Sequence, residues 1–274
     1  MKPRPSFPAR LDTTLAKNRP YAQGVPSAPV TTALSQAPSP APFAIANKAP
    51  HAKPAAPQGH GMESSAVRNR MVQKLAAGGI TDAHVLAAMG AIERHRFVDS
   101  ALINQAYEDT SLPIGLGQTI SKPGVVSRML ELLRNGNTGK LGRVLEIGTG
   151  CGYQAAVLSC MATEVYSIER LRGLHDRARE NLRHLRLANL HLLFGDGMVG
   201  YAKGAPYAAI IAAAGGEAVP QAWVDQLAVG GRLVAPVVTA GNKQVLLVLD
   251  KTAQGVRQSI LEAVHFVPLK SGIA

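Results

Sequence analysis

The chain has 274 residues, 46% of them hydrophobic, and a formal net charge of +11. This composition supplies one sizeable core, and no apolar run approaches the roughly 20 residues needed to span a bilayer. The cysteines at positions 151 and 160 have neither the spacing of a disulfide framework nor that of a metal site. We therefore expect a cytoplasmic protein with no bound metal and no membrane partner.

The first 60 residues differ in composition from the rest. They hold seven Lys/Arg and one acidic residue, together with twelve of the eighteen prolines. Proline interrupts helical hydrogen bonding, and the segment has too few large apolar residues for a core. We predict a disordered, basic, Pro/Ala-rich tail over residues 1–60 that is dispensable for chemistry.

Basic patches interleaved with aromatic residues are missing from the sequence, so we expect that nucleic acid is not required.

Residues 61–122 are predicted to form a helical subdomain and a long loop. Apolar residues such as Met71, Leu75, Val85 and Met89 follow helical spacing, with two glycines between the two helices. His95 lies between two arginines and is interpreted as a partly exposed basic position, not a catalytic base.

A long connection over residues 106–123 has several Gly and Pro breaks and no helical period. We predict an irregular loop, and long structured loops in compact domains are often functional. Near the end of this connection, Ser121 lies before Pro123 at the opening of a helix predicted over residues 125–133. On this pattern alone the serine fits a helix N-cap better than a functional role, and both readings stay open.

The segment from Arg143 to Gln154 predicts a buried strand, a glycine turn and the start of a helix. The dinucleotide fingerprint is G-x-G-x-x-G, but here the spacing is E-x-G-x-G-x-G, and Tyr153 stands where the third glycine should be. An anionic Glu146 would repel a pyrophosphate and attract a sulfonium or ammonium cation. The motif therefore favours S-adenosylmethionine over a nicotinamide dinucleotide.

After this turn the sequence alternates between strands and helices. Strands are predicted over residues 165–168, 190–194, 207–211 and 233–236, and helices over residues 171–187 and 220–227. The alternation predicts a parallel sheet covered on both faces, with residues 245–249 and 264–267 as a final antiparallel pair. The arginines of residues 171–187 are interpreted as a solvated face.

Acidic residues follow two of these strands. Glu169 lies 21 residues after Gly148 and ends its strand, where an acidic residue hydrogen-bonds ribose hydroxyls. Asp196 follows the next strand and is expected to reach an adenine amino group. For both residues the alternative is a solvated strand end.

Two motifs together carry a family resemblance. The sequence Leu112-Pro113-Ile114-Gly115-x-Gly117-Gln118-Thr119-Ile120-Ser121-x-Pro123, upstream of the glycine motif, resembles protein-L-isoaspartate O-methyltransferases from about residue 64 onward. Supporting segments are Ile168-Glu169-Arg170, Gly195-Asp196-Gly197 and Val264-x-Phe266-Val267-Pro268-Leu269.

The resemblance implies an α/β fold of the class I S-adenosylmethionine-dependent methyltransferase type: a Rossmann-like, doubly wound, mostly parallel sheet. Residues 61–122 would be the helical and substrate-loop subdomain and residues 123–274 the cofactor-binding core. The implied activity is methyl transfer from S-adenosylmethionine to the α-carboxylate of L-isoaspartyl residues in damaged proteins. Isoaspartyl-containing peptides and proteins would be the substrates, and we expect the enzyme to be a monomer.

The resemblance also implies site residues. Its active-site serine falls on Ser121, whose hydroxyl we expect to orient the carboxylate without acting as a nucleophile. The implied cofactor contacts are Gln118, Thr119, Ile120, Ser121, Glu146, Gly148, Thr149, Gly150, Gly152, Tyr153, Gln154, Glu169, Asp196 and Gly197. The chain departs from the family pattern at Lys122-Pro123-Gly124-Val125 and at Ala212-Ala213-Ala214-Gly215-Gly216, where peptide affinity or loop rigidity would change.

Three other functions remain open from the sequence. The first is a class I methyltransferase acting on RNA or a small molecule, which would not need the loop from Gln118 to Ser121. The second is a non-catalytic protein that binds S-adenosylmethionine, and the third is a nicotinamide oxidoreductase, which Tyr153 and Glu146 disfavour.

Overall fold

The computed structural model describes residues 65–274, so the predicted tail lies outside the described residues. The described chain begins with helices α1 (Ser65–Ala77) and α2 (Ala83–Ala91), which confirms the two predicted helices. Asp82 caps α2 by accepting hydrogen bonds from the backbone amides of His84 and Val85, at 2.8 and 3.2 Å. Arg134 donates a further bond of 2.7 Å to the same carboxylate.

The connection that follows contains an antiparallel hairpin, so the prediction of an irregular loop was wrong for this part. Strand β1 (Leu112–Gly115) pairs with β2 (Gln118–Ile120). Leu116 and Gly117 form the turn with φ of 52° and 69°, the left-handed conformations that a tight two-residue hairpin turn requires. Leu112, Ile114 and Ile120 are buried, and this burial holds the short strands in place.

Helix α3 (Pro123–Arg134) leads into a seven-stranded sheet. Its strands are β3 (Leu141–Ile147), β4 (Ala162–Glu169), β5 (Leu190–Phe194), β6 (Tyr207–Ala212), β7 (Leu227–Val238), β8 (Gln244–Thr252) and β9 (Gly255–Val264). The connecting helices are α4 (Tyr153–Met161), α5 (Arg172–Leu182) and α6 (Gln221–Gln226).

The strand order is β5-β4-β3-β6-β7-β8-β9, with β3 to β7 parallel and β8 and β9 antiparallel. From β3 the chain moves outward through β4 and β5, then returns to β6 on the other side of β3. This reversal opens a crevice at the carboxyl end of β3, the place where open α/β sheets bind ligands.

The two faces of the sheet are covered unequally. Side chains of β3 alternate, with Val144 in a core shared with helices α1 to α5, and Leu145 and Ile147 in a second core. On that second face the packing partner is α6, whose Trp223 is only 1% exposed.

Two strand boundaries differ from the sequence prediction. Strand β7 begins at Leu227, before Gly230 and Gly231, and its register against β6 shifts near its start. The last strand ends at Val264, where the sequence predicted a strand over residues 264–267. Strand β9 is exposed along most of its length, so it lacks the apolar run that marks a buried strand. No helix within residues 65–274 is both long enough and apolar enough to cross a membrane.

Candidate functional site

A cavity of about 220 Å³ opens at the carboxyl end of β3, at the reversal of strand order. The hairpin, the glycine turn, the carboxyl end of β4 and residues 267–270 form its walls. Most of the predicted site residues line it together: Gln118, Thr119, Ile120, Ser121, Gly148, Thr149, Gly150, Tyr153, Gln154, Glu169 and Gly197. Glu146, Gly152 and Asp196 do not line the cavity.

The glycine turn brings the backbone close to the hairpin. Gly150 has φ of 57°, and a Cβ atom there would lie 3.2 Å from Cδ1 of Ile114. Its amide donates a 2.9 Å hydrogen bond to Glu169, and the other carboxylate oxygen of Glu169 accepts from the Leu171 amide at 2.9 Å. Glu169 therefore fixes the turn while its side chain borders the cavity.

Gly152 serves packing on the far side of the turn. It adopts φ of 91°, and a Cβ atom there would lie 2.8 Å from Cδ1 of Leu182 on α5. The third glycine of the motif thus lets α5 approach the start of α4, and the structure places it away from the cavity.

Glu146 is wholly buried beneath the turn. Its Oε2 accepts a very short hydrogen bond from the Ser167 hydroxyl, and the hydroxyls of Ser167 and Thr149 lie 2.6 Å apart. Its Oε1 has no hydrogen-bond partner among residues 65–274. Desolvation raises the pKa of Glu146 to about 8, opposed by Ser167 and by the nearby Gln154 amide.

This environment corrects the electrostatic argument made from the sequence. A carboxyl group with a pKa near 8 is mostly protonated at pH 7, so Glu146 presents little negative charge to a ligand. Among residues 65–274, the acidic side chain that lines the cavity is that of Glu169.

Asp196 is engaged by the protein backbone. Its Oδ1 accepts from the Met198 amide at 2.8 Å, and its Oδ2 accepts from the Gly272 amide at 2.6 Å. This carboxylate therefore holds the segment of residues 265–274, which passes beside the cavity.

Ser121 lies between the cavity and an outer groove that also contains Lys122, Gly124 and Val125. The N-cap of α3 is Lys122, with no side-chain capping bond, so the N-cap interpretation of Ser121 was wrong. Asp109 takes the capping role, because its Oδ1 accepts from the Gly124 amide at 2.6 Å. A Cβ atom on Gly124 would lie 2.8 Å from that oxygen, which explains the small residue in this chain.

Sequence reasoning missed two arginines that hold the hairpin. Arg94 donates a 2.8 Å hydrogen bond to the Ser121 carbonyl, and Arg177 donates one of 2.7 Å to the Ile114 carbonyl. The interpretation of the α5 arginines as a solvated face was therefore wrong for Arg177, which is only partly exposed. Main-chain carbonyls accept these bonds, so no pairing of side-chain types in the sequence could have indicated them.

The polar and apolar groups that line the cavity fit a nucleoside ligand that carries hydroxyl groups and a positive charge. Glu169 supplies carboxylate oxygens, the glycine turn exposes backbone, and Ile168 and Leu174 supply apolar surface. Gln154 lines the cavity, and its Nε2 is a buried donor with no partner in the described part of the chain. Within residues 65–274 no group of three or more His, Cys, Asp or Glu side chains could hold a metal ion.

Comparison with known proteins agrees with this architecture. A sequence model of the family described as protein-L-isoaspartate(D-aspartate) O-methyltransferase matches residues 66–274. A protein-L-isoaspartate O-methyltransferase of Methylibium petroleiphilum is 53% identical over 276 residues, covering 99% of this chain and 97% of that protein. One from Leptothrix cholodnii is 62% identical over 224 residues, covering 81% and 79%.

Solved structures give the same result. A protein-L-isoaspartate O-methyltransferase structure aligns with a TM-score of 0.68 at 28% identity, covering 75% of this chain and 67% of the other. A Plasmodium falciparum protein described as a putative member of the same class, in complex with S-adenosyl-L-homocysteine, aligns with a TM-score of 0.65 at 25% identity, covering 74% and 98%. The chain therefore belongs to the protein-L-isoaspartate(D-aspartate) O-methyltransferase family, which confirms the resemblance found in its sequence.

Proposed function

We propose that the cavity and the groove beside it divide the work of one methyl transfer. As a member of its family, the chain transfers the methyl group of S-adenosylmethionine to the α-carboxylate of L-isoaspartyl residues in damaged proteins. The main support for this proposal is that the glycine turn and the hairpin strand that precedes Ser121 line the same cavity. The turn and Glu169 hold the cofactor, and Ser121 holds the acceptor at the boundary with the groove.

When bound, S-adenosylmethionine supplies a methyl group already activated by its sulfonium charge. The acceptor also needs no activation, because a carboxylate with a pKa near 4 is ionised at pH 7. The protein therefore has to align the acceptor oxygen and exclude water, and such positioning lowers a barrier by roughly 7–11 kcal/mol in favourable cases. The Ser121 hydroxyl donates to the carboxylate and orients it, with no general base required.

The cofactor contacts proposed for this chain follow the lining of the cavity. They are Gln118, Thr119, Ile120, Ser121, Gly148, Thr149, Gly150, Tyr153, Gln154, Glu169 and Gly197. Glu146, Gly152 and Asp196 act indirectly, through the hydrogen bonds and packing that support the turn and the segment of residues 265–274. The methyl-ester product leaves the enzyme, and without further help the backbone amide nitrogen that follows the modified residue attacks the ester carbonyl and displaces methanol to close a succinimide. Hydrolysis of the succinimide by water then gives partial repair to aspartate.

The cellular setting is part of the same proposal. Cys151 is buried, Cys160 is exposed, and both are free thiols, which suits a reducing cytoplasm. We expect a monomer that acts on proteins and peptides without nucleic acid or membrane, with residues 61–274 sufficient for turnover. A deletion of residues 1–60 that folds but fails to methylate would contradict this sufficiency.

The proposed function is tested with methyl-labelled S-adenosylmethionine and two peptides that differ only in an L-isoaspartyl or L-aspartyl linkage. Base-labile label is expected on the isoaspartyl peptide alone. Label on neither peptide, with cofactor binding intact, would show that the acceptor belongs to another chemical class.

The role of Ser121 is tested by Ser121→Ala, with Ser259→Ala on exposed strand β9 as the matched control. Loss of an orienting hydrogen bond to a charged group costs roughly 1.5–3 kcal/mol. We therefore expect kcat/KM for the isoaspartyl peptide to fall about 10- to 100-fold, with cofactor affinity changed little. Full methyl transfer by Ser121→Ala would remove the proposed role.

A further inference from the structure

Arg94 is a buried cation that has no counter-ion within the described part of the chain. Its side chain is fully inaccessible to solvent, and it forms no ion pair with any carboxylate among residues 65–274. Its Nε donates to the Ala106 carbonyl and its Nη2 to the Ser121 carbonyl, both at 2.8 Å. Its Nη1 has no hydrogen-bond partner within the described residues.

Arg134 is a second buried arginine in this fold, and its charge is balanced by a carboxylate. It is also buried, and its Nε lies 2.7 Å from a carboxylate oxygen of Asp82. The carboxylate whose charge interacts with Arg94 is that of Asp109, which is half exposed and is engaged by the Gly124 amide and by Lys122 at 3.4 Å. An arginine remains charged in proteins, and burying an unpaired charge is costly, so the fold retains this charge at a cost.

The position of Arg94 indicates what the charge acts on. The guanidinium bonds directly to the main chain of Ser121, the residue placed at the acceptor. Its Cζ also lies 4.9 Å from the ring centroid of Tyr153, which begins α4 and borders the cavity. Arg94 therefore joins the acceptor side of the cavity to the glycine-turn side, and its positive charge lies in a poorly screened region beside both.

We propose that Arg94 is a positioning residue that makes the site select a carboxylate acceptor, with the α-carboxylate of the bound isoaspartyl residue serving as its counter-ion. This inference rests on the proposed function. Arg94 acts through the Ser121 main chain and through its field, without touching the substrate. Coulomb attraction over several ångströms in a poorly screened site corresponds to roughly 10- to 100-fold in affinity.

The test compares two peptides that differ at one group. One carries the isoaspartyl α-carboxylate, and the other carries the neutral α-carboxamide at the same position. Affinity for each is measured by calorimetry with the full chain, S-adenosyl-L-homocysteine being present at saturation. The variants are Arg94→Lys, which keeps the charge, and Arg94→Met, which removes it, with Lys122→Gln as the control for an exposed cation beside the serine.

For the wild type, Arg94→Lys and Lys122→Gln, we expect preference for the carboxylate peptide. For Arg94→Met, affinity for the carboxylate peptide should fall about 10- to 100-fold while affinity for the carboxamide peptide stays nearly constant. An equal loss for both peptides would show a purely structural role and overturn the inference, as would an unchanged preference in Arg94→Met. If Lys122→Gln lost the preference for the carboxylate peptide, the exposed cation of Lys122 would be the group that selects the acceptor, and the inference would be overturned.

A measurement on the wild type keeps the inference testable if Arg94→Met does not fold. A buried charge is screened little by salt, whereas exposed charges are screened within about 8 Å at physiological ionic strength. The preference for carboxylate over carboxamide should therefore persist when salt is raised to about 0.5 M, and its collapse would overturn the inference. Failure of the wild type to label the isoaspartyl peptide would instead refute the proposed function itself.

Discussion

At the scale of single residues, Glu146 shows how burial changes the role of an acidic side chain. The group is inaccessible to solvent and its pKa is raised from an ordinary value of 4.5 to about 8, chiefly by desolvation. The charged group that also contributes to this shift is Glu169, across the glycine turn. In its protonated form Glu146 belongs to a buried chain of hydroxyl groups that supports the turn from below.

A dependence of stability on pH follows from this shift. The folded pKa lies above the unfolded one, so between about pH 4.5 and 8 the folded protein binds more protons than the unfolded chain. Stability therefore falls as pH rises through this window, by at most about 1.4 kcal/mol per pH unit from this group. Glu146→Gln keeps an acceptor for Ser167 and cannot ionise.

We expect the advantage of Glu146→Gln over the wild type in free energy of unfolding to grow from pH 5 to about 8 and then level off. Urea unfolding of both proteins without cofactor, at closely spaced pH values, measures it. Because the two proteins share every other titrating group, a difference that stays constant with pH would show that Glu146 is ionised in the folded state.

Residues differ in how far the sequence could predict them. The glycines and Glu169 were identifiable because their motif spacing reflects backbone geometry. The environment of Glu146 depends on Ser167 of the neighbouring strand, and the roles of Arg94 and Arg177 depend on which carbonyls the hairpin presents. The roles of Glu146, Arg94 and Arg177 can therefore be identified only from the tertiary structure.

At the scale of secondary-structure elements, the β1–β2 hairpin is held at both ends by arginines from different parts of the chain. Arg177 of α5 binds the carbonyl of Ile114, and Arg94 binds that of Ser121. The hairpin forms one wall of the cavity, so its position affects access to the cofactor.

Removing the α5 contact should loosen this wall. For Arg177→Ala we expect cofactor affinity to fall about tenfold, the lower end of the range for a hydrogen bond involving a charged group, since Arg177 is only partly buried. Amide hydrogen exchange over residues 112–120 should also accelerate. The matched control is Arg179→Ala, because Arg179 is exposed on the same helix.

Calorimetry and exchange mass spectrometry measure the two effects. If both variants behave like the wild type, the bond to Ile114 contributes neither to cofactor affinity nor to the stability of the hairpin. Equal losses in both would indicate a general effect of charge on α5.

Elements with strong apolar runs were predictable. Strand β5 (Leu190–Phe194) matches its predicted bounds, whereas β4 extends its predicted bounds by four residues and β6 by one. The hairpin was missed because its turn places Leu116 in a left-handed conformation, which leucine rarely adopts. Strand β9 was misplaced because its exposed side chains carry no apolar signal.

At the scale of the whole molecule, the segment of residues 265–274 ties the end of the described chain to the strand ends around the cavity. The Gly272 amide donates to Asp196, Arg170 donates to the Gly272 carbonyl at 2.8 Å, and Ala274 exchanges backbone bonds with Arg170 and Arg172. Residues 267–270 of this segment line the cavity.

This arrangement predicts that Asp196 and residues 271–274 act as one unit. Asp196→Ala and a deletion of residues 271–274 should each raise the cofactor dissociation rate by about tenfold, in line with loss of a charge-assisted hydrogen bond. Combining them should add little, because both remove the same contact. Asp225→Ala, at an exposed position on α6, serves as the control.

Stopped-flow displacement of a fluorescent cofactor analogue gives these rates. Additive effects in the combined variant would instead place Asp196 in direct contact with the cofactor, as the sequence pattern first indicated.

The walls of the cavity come from segments far apart in the chain, from Ile114 to Lys270. Pairings across such separations form late in folding, because each must first overcome the entropy of closing a long loop. During synthesis residues 267–270 are the last wall to be made, so a growing chain has no complete cofactor site.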